Sequence, residues 1–340
     1  MPERELMPQN ARHIVLVRRP KGALRSDDFA VRTGVLGDPA AGEVLVRNLW
    51  LSLDPYMRLT MSEQGGLHGT VPLETALPGS SVGEVIASAS DDLPVGSMVV
   101  SRTYGWRDHY LAPAHELLPL PAAPGPIQRY LGLYGLTGIT AWGGLFGVLK
   151  PQPGETLFVN AAAGAVGMVV VQLAKRAGAR VIASAGSDAK CAWTTEVLGA
   201  DHAINYRSED LAARLAELAP EGLAMAFDNV GGEQLEILID AMAPRGRIAL
   251  CGAIALYDGA NYRAGPGNLF ATVEKHVSIT GFNAGFYFAD APRIIAELAA
   301  AEAEGALVDE ETIVEGLEAM PQGFIDMMAG ASRGKMLVRV

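Results

Sequence analysis

The stretch Thr156 to Gly186, TLFVNAAAGAVGMVVVQLAKRAGARVIASAG, decides the architecture. It opens with a short apolar run, TLFVN, passes through a loop of small residues, and continues into the helix-length segment GMVVVQLAKRAG before a second apolar run, RVIASAG. Strand, tight turn, helix and strand within about 30 residues form a βαβ unit. Four further apolar runs follow at helix-length intervals: HAINY from His202, LAMAFDNV from Leu223, GRIALCGAI from Gly246 and HVSITGF from His276. Six parallel strands are thereby expected, the number that a doubly wound dinucleotide-binding sheet requires.

Upstream, from about His13 to Pro121, the pattern is different: short strands cut by Gly and Pro, namely IVLVRRP, GEVLVRNLWLSLDP, SVGEVIASAS and VGSMVVSRTYGW, which predict a small, largely β domain. The Pro-rich stretch Leu118 to Pro126 marks the boundary. Downstream, DAPRIIAELAAAEAEG reads as a helix with Asp290 at its start, Pro292 in its first turn and Gly305 beyond its end. The last residues, GKMLVRV, read as a strand that returns to the first domain. The expected division is residues 1–125 with 301–340 as one domain and 126–300 as the other, with a cleft between them.

Composition narrows the function. The chain has 340 residues, 49% hydrophobic and 19% charged, enough to form sizeable cores. A net charge of −11 argues against nucleic acid and anionic membrane surfaces as main partners, though a local basic pocket can still hold a small anion. No apolar run reaches the ~18 residues of a membrane span, and Met1 to Arg12 is polar, unlike a signal peptide, so the cytoplasm is the expected location. Cys191 and Cys251 are the two cysteines, too few for a disulfide framework or a four-cysteine zinc site.

The small-residue loop, Ala161 to Gly167, aligns with the dinucleotide fingerprint G-x-G-x-x-G as Ala162, Gly164 and Gly167. Gly164 would let the backbone approach a pyrophosphate, Gly167 would let helix pack on sheet, and the helix N-terminus offers N–H groups to an anion. A tight turn in an α/β protein that binds no nucleotide would use the same residues. After the next strand, where an NAD-selective site places an acid, stands Ser184-Ala185-Gly186-Ser187, with Lys190 just beyond. That arrangement suits a 2′-phosphate, and hence NADPH; Ser187 also reads as a helix cap with Asp188 in the first turn.

No metal site is expected, because the first domain has no cysteine and His13, His68, His109 and His115 show no paired ligand spacing. Without a Lewis acid, a carbonyl oxygen must be stabilised by hydrogen-bond donors. Tyr56, Tyr104, Tyr206, Tyr257 and Tyr262 are candidates, although most buried tyrosines only satisfy a neighbour. Tyr257 follows the fifth strand, at the edge where ligands bind, and Tyr56 lies in a turn of the first domain. The run Asp309-Glu310-Glu311 reads as a solvated face, and Met327 and Met328 as core.

Six motifs in order, SLDPYMR from Ser52, GLTGITAW from Gly135, NAAAGAVG from Asn160, AGSDAK from Ala185, FDNVGG from Phe227 and GRIALCGAI from Gly246, resemble the medium-chain dehydrogenase/reductase superfamily over nearly the whole chain. The resemblance is to its zinc-independent branch of prostaglandin reductases, alkenal double-bond reductases and NADPH-dependent curcumin reductases. It implies a GroES-like, mostly β catalytic domain beside the Rossmann nucleotide-binding domain, and a homodimer. It further implies reduction of the carbon–carbon double bond of α,β-unsaturated ketones or aldehydes by NADPH. Carried over by position, Gly164, Ala165, Val166 and Gly167 hold the pyrophosphate and Lys190 the 2′-phosphate, beside Ser187. Tyr206, Asn229 and Cys251, Gly252, Ala253, Ile254 and Tyr257 line the cofactor, with Phe282, Asn283 and Ala284 near the nicotinamide. Tyr56 and Tyr257 flank the substrate. The family's Asn-x-Gly-Lys is here Ser332-Arg333-Gly334-Lys335, so Ser332 stands where the family has an asparagine contact. An NADPH:quinone reductase is the alternative enzyme, and a non-catalytic NADPH-binding protein the alternative of another class.

Overall fold

All six apolar runs that follow Lys150 form strands in the structure, a computed structural model that describes residues 9–63, 65–66, 69–121, 126–258 and 265–340. Tyr262, His68, Met1 to Pro8 and the centre of the Pro-rich stretch, 122–125, lie outside the described residues. The six strands form one parallel sheet in the order His202–Asn205, Arg180–Ala185, Thr156–Val159, Leu223–Asp228, Met242–Leu250, Ser278–Gly281. Numbered along the chain this is 3-2-1-4-5-6, the doubly wound order whose reversal point lies beside the first strand. The inner strands are covered on both faces. Val159, Ala183 and Phe227 face one core with Met168 and Val171 of the helix Ala165–Arg176, while Phe158, Ile182 and Ala226 face another with Leu215, Leu238 and Ile239. Burial on both faces explains why these strands read as unbroken apolar runs.

Contacts gather the chain into two units. One runs to Leu131 and resumes at Thr312–Ala331 and Met336–Val340; the other is Gly132–Glu311 with Ser332–Lys335. The first unit is mostly antiparallel strand. Its larger sheet has seven strands, with Glu43–Ser52 at the centre paired to Ser81–Ser88, His109–Pro113 and the terminal strand Lys335–Arg339. A two-stranded ribbon, Gln9–Leu16 with Phe29–Leu36, lies apart from it in pairing. Leu51, Leu53, Met57, Trp106, Phe324 and Met327 pack in one core, against which Met328 is half-buried.

Three local readings change. The strand expected at IVLVRRP spans Gln9–Leu16 and stops before Pro20. The helix Ala291–Ala303 has Pro292 in its first turn and a Gly305 stop at φ 70°, where the N–H groups of Gly305 and Ala306 return to Glu302 and Ala301. Asp290 does not cap it through its side chain, because it ends a preceding helical turn, Ala284–Asp290, and has α-helical rather than extended backbone. Asp309 to Glu311 is half-buried rather than a solvated face: Glu310 pairs with Arg333, its carbonyl accepts Lys335 N at 2.8 Å, and Glu311 opens a strand.

Candidate functional site

Parallel strands end on one edge, so whatever follows each strand is collected on a single rim. Every cofactor candidate in the second unit except Ser332 lies there. The small-residue loop follows the first strand, Ser187 and Lys190 the second, Tyr206 the third, Asn229 the fourth, Cys251 to Tyr257 the fifth and Phe282 to Ala284 the sixth.

In the loop, Ala161 is the residue in the left-handed region, at φ 46°, one position before the aligned Ala162. Its carbonyl accepts Gly164 N at 2.9 Å, and Ala162 N donates to Ser184 O at 3.0 Å, tying the turn to the neighbouring strand. Gly164 is the extended N-cap of the helix Ala165–Arg176. A Cβ on Gly167 would lie 2.7 Å from Ala162 Cα and closer still to Ala161 O, so only glycine lets the helix sit this near the loop. On Gly164 a Cβ would meet one atom, Ala161 O at 3.2 Å, which leaves that side of the loop open to an approaching anion.

The chain's last turn joins this corner. Gly334, at φ 66°, donates its N–H to Ala163 O at 2.9 Å and bridges to Gly164, while Ser332 O accepts Lys190 Nζ at 2.6 Å. Ser332, Lys190 and Gly164 are thus brought together from three segments far apart in sequence. Ser187 caps its helix by accepting Lys190 N at 3.3 Å, and Asp188 in the first turn accepts Asn205 Nδ2 at 2.6 Å. Gly186 is a cradle: a Cβ there would fall 2.9 Å from Tyr206 Oη and 3.2 Å from Arg207 Nε.

Further along the rim, Asn160 is a buried hub. Its Nδ2 donates to Asp228 Oδ1 at 2.6 Å, its Oδ1 accepts Asn229 N at 2.6 Å, and its carbonyl accepts Asn229 Nδ2 at 2.9 Å. Asp228 Oδ1 also accepts the N–H groups of Val230 and Gly231, each at 2.9 Å, and fixes the turn into two left-handed glycines, Gly231 and Gly232. Burial pushes the Asp228 carboxyl up, against the pull of those donors. Burial, with Asp228 close by, pushes the Cys251 thiol up to about 12. Cys251 and Gly252 hang from Asp228 O by their N–H groups, and Ala253 N donates to Tyr257 Oη at 3.3 Å, which folds the phenol over its own turn. Phe282 meets Phe227 edge-on at 5.9 Å, and both rings lie against Gly144, where a Cβ would collide with them. Asn283 caps the next turn by accepting Gly285 N at 2.8 Å.

Tyr56 belongs to the first unit. Burial, aided by Asp54, pushes its phenol above the ordinary tyrosine range, so it remains a neutral hydroxyl. Tyr104 is spoken for by Glu116 at 2.8 Å and a stacked Tyr110. Among the described residues no group of three or more His, Cys, Asp or Glu is placed to hold a metal ion. Sequence reading gave no role to Asn160, Asp228, Arg207 or Arg333. The first two stand at the ends of apolar runs, where a polar residue in a doubly buried strand is itself the signal.

Residues 12–120 match a family model described as the N-terminal domain of oxidoreductase, and residues 165–300 one described as zinc-binding dehydrogenase. The chain is 34% identical to the NADPH-dependent curcumin reductase of Escherichia coli (strain K12), covering 98% of this chain and 97% of that one. It is 35% identical to the 2-alkenal reductase (NADP(+)-dependent) of Nicotiana tabacum, covering 88% of each. The crystal structure of CurA from Vibrio vulnificus in complex with NADPH superposes with a TM-score of 0.91 at 34% identity, over 97% of this chain and 99% of that one. The chain belongs to the medium-chain dehydrogenase/reductase family, in the branch that contains the curcumin and 2-alkenal reductases.

Proposed function

We propose that this protein is an NADPH-dependent oxidoreductase that reduces the carbon–carbon double bond of α,β-unsaturated ketones or aldehydes. The observation that carries the reading is the convergence of the Gly164–Gly167 loop, Lys190 and the Ser332–Gly334 turn on one corner of the sheet rim, supported by relatives whose names state NADPH and conjugated carbonyl substrates. The residues fit the cofactor: an open glycine at the helix N-terminus suits a pyrophosphate, and the cradle at Gly186 lies beside cationic side chains. When bound, NADPH supplies the hydride that adds to the β-carbon.

The chain's own part is to bind, orient and stabilise. Gly164, Ala165, Val166 and Gly167 hold the pyrophosphate; Ser187 and Lys190 face the 2′-phosphate; Tyr206, Asn229, Cys251 to Ile254, Phe282 to Ala284 and Ser332 line the remaining length. Tyr257 donates a hydrogen bond to the substrate oxygen as negative charge gathers there, and tyrosine or water returns a proton to the α-carbon. Tyr56, in the first unit, keeps a neutral hydroxyl.

The protein acts as a homodimer in the cytoplasm on this reading. Support for the dimer comes from the edge strand Ser278–Gly281 and the exposed apolar side chains of Phe270 and Val273 on the helix that precedes it in sequence. No helix among the described residues is long and apolar enough to cross a membrane.

The test is consumption of NADPH, with product identification, over a matched enal, aryl enone, quinone and saturated ketone, each repeated with NADH. Conversion of the enal or enone to the saturated carbonyl with NADPH preferred is the expected outcome. Turnover confined to the quinone reassigns the reaction, and binding without turnover removes the enzyme reading.

A further inference from the structure

Two arginines crowd the corner occupied by Lys190, and the reduction chemistry does not explain them. Arg207 arrives from the end of the strand His202–Asn205, where its Nε comes within 3.2 Å of the position a Cβ on Gly186 would take. Arg333 arrives from the chain's last turn, next to the Ser332 carbonyl that binds Lys190 Nζ. Its guanidinium lies 5.2 Å from the centre of the Trp193 ring, on the helix that carries Lys190, and is held from behind by Glu310, with Nε to Oε1 at 3.0 Å. In a chain of net charge −11, three cations from three segments meet at one place. The carboxylate nearest along the chain, Asp188, is engaged by Asn205.

Like charges held close cost stability unless an anion offsets them. Burial, and then Arg207 and Arg333, pull the Lys190 ammonium below its ordinary range. A singly charged phosphodiester would be matched by one cation, whereas a phosphate monoester carries close to two charges and three acceptor oxygens.

We propose that Arg207 and Arg333 join Lys190 in a three-cation seat for a phosphate monoester dianion, the 2′-phosphate of NADPH. The preference for NADPH over NADH is then divided among three side chains. The inference rests on the NADPH reading and goes beyond it, because it assigns most of the selectivity to residues other than Lys190.

The experiment is fluorescence titration of the full chain with NADPH and with NADH. It compares the native protein, Arg207→Gln, Arg333→Gln and Lys190→Ala, with inorganic phosphate as a competitor. Each arginine substitution is expected to weaken NADPH by about 3- to 10-fold and leave NADH unchanged, as loss of one partly exposed charged hydrogen bond implies. Lys190→Ala should keep a residual preference, and phosphate should compete against NADPH in the native protein more weakly than NADPH binds. Unchanged NADH affinity shows that each variant is folded, and Arg207→Lys should recover part of the loss. A native preference for NADPH that both arginine variants retain in full overturns the seat and leaves the cofactor reading standing. Equal native affinities for NADPH and NADH overturn both. Phosphate that binds without displacing NADPH at any concentration separates the two anions' sites and likewise overturns the proposal.

Discussion

Tyr257 and Tyr56 are both hydroxyl donors by type, yet the fold treats them differently. Tyr257 accepts the Ala253 N–H and stands at the end of the fifth strand, so its oxygen is located by the backbone turn that lines the rim. A donor placed this way acts when charge develops on the substrate, and its removal should affect turnover more than binding. Tyr257→Phe is expected to lower kcat with an enone by about 10²- to 10³-fold while NADPH affinity stays within a few-fold, and steady-state kinetics with a separate binding titration separates the two. A variant that keeps full kcat removes Tyr257 from the reaction. At this scale the sequence was legible where chemistry and backbone geometry coincide. Gly167 could be read because only glycine permits the helix so close to Ala161 and Ala162. Arg207 and Arg333 could not, since nothing local distinguishes a cation aimed at a site from one aimed at water, and their convergence appears only when three distant segments fold together.

Elements differ in legibility for a related reason. The inner parallel strands stand out because both faces are buried, which leaves short apolar runs between helices. The strand Phe29–Leu36 hides because it is half of a ribbon with Val31 and Val35 exposed and Arg32 paired to Glu74, so its pattern carries no clear inner face. The same ribbon is joined to the strand His109–Pro113 through Asp108, which accepts the backbone N–H of Arg12 and its Nε, both at 2.8 Å, with His109 Nδ1 at 3.1 Å. Burial alone would raise the Asp108 carboxyl, but His109 and Arg12 together draw it down to about 2. A carboxyl depressed in the folded chain contributes stability above its unfolded value, near 4, and loses it as pH falls toward 2. Asp108→Asn should therefore destabilise the protein by about 1–2 kcal/mol at pH 6, allowing for solvent screening, and by progressively less from pH 4 to pH 2. Urea midpoints across that range check it, and a deficit that does not shrink with acid contradicts the assignment.

At the scale of the molecule, the second unit carries a sheet edge suited to association. Among the described residues its sheet ends at Ser278–Gly281, which pairs with Met242–Leu250 on one side, and on the helix that precedes it in sequence Phe270 is 70% and Val273 63% exposed. An edge strand flanked by apolar side chains is a site for association. Phe270→Glu is expected to shift the protein from dimer toward monomer in light scattering at micromolar concentration, and a native chain that is already monomeric there removes the homodimer. The corner of Lys190, Arg207 and Arg333 has a consequence for the stability of the folded chain. A ligand that binds only the folded state raises stability by about 2.7 kcal/mol at one hundred times its dissociation constant. On the proposed seat, NADPH then protects the chain against unfolding, and its thermal midpoint rises with NADPH concentration.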